Sequence, residues 1–146
     1  MKYLCDLHRG EFINNPQQAI QAWQVVIQQA RALFHAKDWE RASVAYGNAF
    51  EISELLLSCS GSAFAVDRYL RSALEYAYAL RKEQASVNFH LLVCHVENHI
   101  QDIKHTLSVP MLMKPLEEVI HMPINLADFW MVSLLSLDHI ESRVLH

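Results

Sequence analysis

Residues 26–52 carry the feature that most constrains how this chain can fold. Two segments with the apolar spacing of amphipathic helices meet there at the short turn Ala36-Lys37-Asp38. Alanines stand at positions 30, 42 and 49, on the sides where the two helices must touch. Small side chains let helix backbones approach closely, and Leu33 and Tyr46 are expected to fill the space between them. The segment therefore predicts a hairpin of two antiparallel helices.

This hairpin resembles one unit of the tetratricopeptide repeat, whose pattern is W-x2-L-G-x2-Y, then A-x3-F, then P. The matching positions are Val26, Gln29, Ala30, Leu33, Ala42, Tyr46 and Ala49. Val26 replaces the tryptophan, Gln29 replaces a leucine, and Glu54 replaces the closing proline, so the second helix is expected to run on. The resemblance spans 27 of the 146 residues. It implies stacked helical hairpins that bind a peptide on a concave surface.

A weaker repetition follows 47 residues later. The apolar positions of the first helix, Trp23, Val26, Ile27, Ala30 and Leu33, shift onto Leu70, Ala73, Leu74, Ala77 and Leu80. Those of the second helix, at 42, 45, 46 and 49, shift onto Phe89, Leu92, Val93 and Val96. Any two amphipathic helices in phase would match in this way, and an offset of 47 exceeds the roughly 34 residues of a tetratricopeptide unit. The second unit is either a true repeat or an echo of helical spacing.

The composition favours an all-α fold. The chain has three glycines and no proline between Pro16 and Pro110, which suits helices better than a turn-rich β fold. Helices are predicted at residues 16–36, 38–58, 63–82, 85–107, 116–121 and 125–143. The expected architecture is one domain, 1–146, with tetratricopeptide-like antiparallel hairpins at 16–58 and 63–107 and further helices at 111–146.

Four local signals support these boundaries. Pro16 suits the first turn of a helix, where its missing N–H is not needed. Asp38 can cap the second helix by accepting from its backbone N–H groups. Gly61 suits a C-terminal cap. Asn125, with Asp128 three positions later, has the spacing of a capping box at the start of the last helix.

Charge, cysteine content and motifs exclude several classes of function. The net charge is −4 with acids and bases interspersed, so no basic run predicts nucleic-acid binding. No long uncharged apolar run predicts a membrane span, and the N-terminus lacks the apolar core of a signal peptide. Three widely spaced cysteines without a CxxC pair favour a reducing, cytoplasmic environment. Phosphate-binding glycine loops and nucleophile motifs are absent, so we expect no enzymatic activity and no cofactor.

Histidines are frequent, with nine in the chain, and they suggest a metal site as an alternative function. On one helix, His95, His99 and Asp102 have the spacing i, i+4, i+7 and share a face. Imidazole and carboxylate groups at this spacing can hold zinc or a similar ion. The sequence lacks HExxH, because Val96 follows His95. The other interpretation is an ordinary polar helix face.

The predicted binding surface is a stripe of long polar and aromatic side chains beside the buried ridge. It comprises Gln24, Gln28 and Arg31 on the first helix, and Arg71 and Tyr78 on the helix that echoes it. Such groups suit an extended peptide or a partner helix, although an ordinary solvated face has the same composition. The sequence thus predicts a non-enzymatic protein–protein interaction module, adaptor-like or chaperone-like. A small metal-binding or metal-sensing protein that uses His95 and His99 is the alternative.

The last helix is apolar around nearly its whole circumference. Its apolar residues are Phe129, Trp130, Met131, Val132, Leu134, Leu135 and Leu137. A helix of this kind must be buried on all sides. It is therefore either central in the monomer or part of a homodimer interface through Trp130, Leu134 and Leu137.

Overall fold

The computed structural model describes residues 4–84, 86–103 and 108–144, with side chains as far as residue 134. Within these ranges it contains seven α-helices and no β-strand. They are α1 (Asp6–Asn14), α2 (Pro16–His35), α3 (Trp39–Ser60), α4 (Ala63–Glu83), α5 (Phe89–Gln101), α6 (Val109–His121) and α7 (Ile124–Val144). The prediction of an all-α fold is confirmed. Helix α1 is not among the six predicted helices, because its few apolar residues, Leu7, Phe12 and Ile13, lack the spacing of an amphipathic helix and none of them is buried.

Capping interactions place the ends of α2 and α3 close to the predicted positions. The side chain of Asn15 caps the start of α2. Asp38 Oδ1 accepts a hydrogen bond from the backbone N–H of Arg41, at 3.3 Å. Gly61 ends α3 with a φ of 62°, a left-handed conformation that glycine adopts without strain, and its N–H donates to the carbonyl of Leu57. The predicted caps at Asp38 and Gly61 are confirmed, and Pro16 lies in the first turn of α2 as predicted.

Two later helices begin at different residues from those predicted. Helix α5 begins at Phe89 and not at residue 85, because the Asn88 side chain caps it. Helix α6 begins at Val109, seven residues before the predicted start at 116, because Pro110 lies in its first turn, where a proline is tolerated. Pro115 lies inside the same helix. The predicted helix at 116–121 is therefore too short, because Pro110 and Pro115 both lie within α6.

The predicted capping box of the last helix is wrong. Helix α7 begins at Ile124, which places Asn125 inside the first turn and not at the cap. Asp128 instead accepts hydrogen bonds from the Tyr78 hydroxyl and from Lys82 Nζ, both on α4. The carboxylate of Asp128 therefore links α7 to α4 and does not cap the start of α7.

Helices α2 and α3 form the predicted hairpin and pack along their lengths. Ala30, Ala42 and Ala49 are fully buried in the main core, as the helix contact requires. At the turn, the Phe34 ring packs edge-on against Trp39, with ring centroids 4.7 Å apart. The hairpin is therefore closed by small residues along its length and by aromatic residues at its turn.

Helix α4 packs along α3 and is joined to α2 by side chains. Trp23 Nε1 donates to Ser72 Oγ at 2.8 Å, and Arg31 pairs with Glu75 further along both helices. Because residue numbers rise together in the two pairs, α2 and α4 run in the same direction. The paired residues are 49 and 44 positions apart, on either side of the offset of 47 found in the sequence.

Helix α4 contacts α6 more extensively than it contacts α5, the helix predicted to be its hairpin partner. Helix α6 packs against both α4 and α5. Arg81 Nη1 donates to the backbone carbonyls of Val119 and Met122, at 2.8 and 2.7 Å, which fixes the C-terminal end of α6 on α4. Helices α4 and α5, predicted as the second hairpin, are therefore held together largely by α6, which packs against both of them.

Two groups of buried apolar residues hold these helices together. The larger group joins α2, α3, α4, α5, α6 and α7. The smaller lies around Ile52, Leu55 and Leu56 of α3 and includes Leu4 and Ala19. None of the helices in the described part of the chain is long and apolar enough to cross a bilayer.

Candidate functional site

The five residues predicted to bind a partner lie in different environments. Gln24 and Gln28 are exposed on α2. Arg31 and Arg71 are half-buried, and Tyr78 is buried on α4. The structure brings Arg31 and Arg71 together through a shared carboxylate. That stripe therefore contains both solvent-facing amides and groups that hold α2 and α4 together, and its role in binding remains a prediction.

The shared carboxylate belongs to Glu75, whose side chain is 1% exposed. Arg31 donates to both of its oxygens, at 2.9 and 2.8 Å, and Arg71 Nε donates to Oε2 at 3.2 Å. The Tyr46 hydroxyl of α3 donates to Oε1 at 3.3 Å. Burial, together with the nearby charge of Glu75, raises the pKa of Tyr46. This group joins three helices inside the protein, which is a structural role.

Tyr78 anchors α7 to α4. Its hydroxyl donates to Asp128, and its ring packs against Phe34 with centroids 5.1 Å apart. Burial raises the pKa of Tyr78, and its hydrogen bond to Asp128 adds to the shift. Lys82 Nζ also pairs with Asp128 at 3.2 Å. The contact was missed because the two partners are 50 positions apart, beyond any helical spacing.

Helix α7 buries one face and exposes another. Ala127 and Met131 are buried, while Trp130 and Leu134 are half-buried and pack against the main core. Leu137, the third predicted interface residue, lies outside the residues whose side chains are described. Among the side chains of α7 that are described, the exposed apolar residues are Leu126, Phe129 and Val132, at 54%, 73% and 64% exposure.

A small apolar pocket opens beside this exposed face. It has a volume of about 210 Å³ and lies between the α2–α3 turn and α7. Phe34, Trp39, Tyr78, Met131 and Val132 form its apolar lining. The volume is below the roughly 300–1,000 Å³ typical of small-molecule sites. Its size suits a single inserted side chain better than a bound metabolite.

A cluster of potential metal ligands lies between α3 and α5. It consists of Glu54, His95 and His99, whose ligand atoms all lie within 4.8 Å of one another. His95 Nε2 is 2.6 Å and His99 Nε2 is 3.5 Å from Glu54 Oε1. Asp102, the predicted third ligand, caps the C-terminus of α5 and does not belong to the cluster. The structure thus supplies a different carboxylate, from α3.

Neighbouring groups hold this cluster in place. The Tyr69 hydroxyl donates to Glu54 Oε1 at 2.9 Å, and burial raises the pKa of Tyr69, with the charge of Glu54 as the second cause. The rings of Phe50 and Tyr69 each lie 6.0 Å from a histidine ring, His95 and His99 respectively. Glu54 could not be found from sequence, where it stands out only as a departure from the repeat pattern.

An open pocket of about 480 Å³ adjoins the cluster. Glu54 and His99 contribute to its lining, together with Cys59, Asp102 and the backbone around Gly61. The cluster is therefore accessible to solvent from this side.

Comparison with known protein families, curated proteins and solved structures finds no match.

Proposed function

We propose that this protein is a non-enzymatic, tetratricopeptide-like interaction module that binds a protein partner through the exposed apolar face of α7. This face is defined by Leu126, Phe129 and Val132. The observation that carries the proposal is the exposure of Phe129, 73% of which faces solvent on a helix whose opposite side is buried in the core.

The arrangement of α2, α3 and α4 supports the tetratricopeptide-like part of the proposal. A hairpin is followed by a helix parallel to its first member, as in a stack of helical repeats. Ala30 and Ala42, which match small positions of the repeat pattern, are fully buried between the helices. The structure departs from a tetratricopeptide stack after α4, because α6 packs against α4 more extensively than α5 does.

The apolar face of α7 forms a continuous stripe. Leu126, Phe129 and Val132 are three positions apart, so each is a neighbour of the next on the helix surface. Burying a side chain such as Phe129 stabilises a complex by about 1.5–3 kcal/mol. Contiguous exposed apolar surface of this kind marks a contact site for another protein.

A partner of matching chemistry would present apolar side chains from a helix. The face of α7 meets this description itself, so a second copy of the chain can pair with it around a two-fold axis. The pocket beside Val132 can receive one apolar side chain from the opposing surface. A second copy of the chain is therefore the first partner to test.

Sedimentation equilibrium at micromolar concentration tests the homodimer. We expect a dimer mass for the natural sequence and a monomer mass for the double variant Phe129→Gln, Val132→Gln. The matched control replaces two equally exposed valines on other helices, Val25→Gln and Val44→Gln, and should remain dimeric.

A photo-crosslinking amino acid placed at Val132 or at Val44 extends the test to other proteins in a cell extract. A partner captured from Val132, not captured from Val44, and lost on Phe129→Gln supports binding through α7. A monomer mass for the natural sequence, combined with the same crosslinking pattern from both positions, would show that α7 is not a binding face.

A further inference from the structure

A second site lies away from α7, and the interaction proposed above does not use it. We propose that Glu54, His95 and His99 bind a divalent first-row transition-metal ion that links α5 to α3. Two histidines from one helix and a carboxylate from its neighbour converge there, with all three ligand atoms within 4.8 Å of one another.

The distances between the ligand atoms are close to those of a metal centre. Zinc binds nitrogen and carboxylate oxygen at about 2.0–2.2 Å, so two ligands of a tetrahedral ion lie about 3.4 Å apart. The separation of His99 Nε2 from Glu54 Oε1 is 3.5 Å. His95 Nε2, at 2.6 Å from the same oxygen, is a hydrogen-bond distance and must lengthen when an ion replaces the proton. The His95 side chain is 47% exposed, so it has room to move.

One histidine is already oriented for coordination. His99 Nδ1 lies 2.7 Å from the backbone carbonyl of His95, so this nitrogen carries the proton and donates it. A metal ion binds the neutral form of this ring, in which the lone pair of Nε2 lies towards Glu54. A hydrogen bond from the other ring nitrogen to a backbone carbonyl is the usual way in which proteins orient a metal-binding histidine. The Tyr69 hydroxyl donates to Glu54 Oε1, the oxygen that faces both histidines, and so restricts the orientation of this carboxylate.

The ligand types select the class of ion. Imidazole nitrogen suits zinc, iron, cobalt, nickel and copper, whereas calcium and magnesium take oxygen ligands. Three protein ligands leave one position of a tetrahedral ion open, as in sites that exchange a bound water. The pocket lined by Glu54 and His99 adjoins the three ligands, so a water molecule can reach an ion bound there.

Isothermal titration of untagged, chelator-treated protein with zinc chloride tests the site. We expect one zinc ion per chain, no binding of magnesium, and a loss of zinc affinity in Glu54→Gln and His99→Ala. The loss should exceed the roughly 10–100-fold effect of removing an outer-shell partner. His121→Ala removes an exposed histidine from α6 and is the matched control, with unchanged affinity.

The Glu54→Gln variant separates this site from a simple pair of histidines. Glutamine keeps an oxygen that can accept from Tyr69, so we expect the fold to be retained, and circular dichroism tests this. Zinc should raise the melting temperature of the natural protein and not that of the variant, because only the folded natural site binds the ion tightly. Equal zinc affinity in the natural protein and Glu54→Gln would overturn the proposal, as would unchanged affinity in His99→Ala.

Discussion

At the scale of single residues, the most consequential side chain is that of Glu75. It is buried, yet it is compensated by Arg31 and Arg71, and it also accepts from Tyr46. A buried charge is tolerated only when its partners remain in place. The same side chains that look like a polar binding surface in sequence thus form an internal junction of three helices.

Replacing Glu75 with glutamine should destabilise the protein by about 3–5 kcal/mol, because two half-buried arginines lose the charge that compensates them. Chemical denaturation measures this change. The control is Glu118→Gln, whose exposed pair with Lys114 spans 3.9 Å and whose loss should leave the midpoint unchanged. Equal midpoints for the two variants would contradict the structural role of Glu75.

At the scale of elements, the α2–α3 hairpin depends on small residues between its helices. Ala42 has no exposed surface and lies in the same core group as Ala30. Close packing of this kind has no space for added atoms. Helix α5 is less tightly packed than this hairpin, since only Val96 and Ile100 are buried along it and its other side faces solvent.

The substitution Ala42→Leu should overpack the hairpin and lower the free energy of unfolding by about 1–3 kcal/mol. Ala32→Leu makes the same chemical change at an exposed position of α2 and should be nearly neutral. Urea denaturation of the two variants provides the comparison. Unfolding of Ala42→Leu and Ala32→Leu at the same urea concentration would contradict the close packing of α2 against α3.

At the scale of the whole molecule, three tyrosine hydroxyls donate to carboxylates between helices. Tyr46 pairs with Glu75, Tyr69 with Glu54, and Tyr78 with Asp128. Burial raises the pKa of each tyrosine above its ordinary value of 10.0, and the carboxylates add to the shift. Ionisation of these hydroxyls is therefore coupled to opening of the helix contacts.

The stability that these three tyrosines contribute should be complete below about pH 10 and should fall as the pH rises further. The folded state holds their protons more tightly than the unfolded state, so alkali favours unfolding. Tyrosinate absorbance and circular dichroism, followed together, should show their ionisation coinciding with helix loss. Titration of all five tyrosines near pH 10 with the helices intact would contradict this coupling.

The sequence by itself determined what depends on near neighbours along the chain. The all-α class, the first-turn position of Pro16, the caps at Asp38 and Gly61, and the alanine contacts of the first hairpin were predicted from spacings of a few residues. Helix propensity, capping and amphipathic pattern act over one or two turns, so a single sequence is enough to reveal them.

Only the tertiary structure decided which distant residues meet. Glu54 and His95 are 41 positions apart, and Arg31 and Glu75 are 44 apart. The helical period does not link such pairs, because their proximity depends on which helix faces pack together. For the same reason, the exposed apolar face of α7 consists of Leu126, Phe129 and Val132, whereas Trp130 and Leu134 pack against the core.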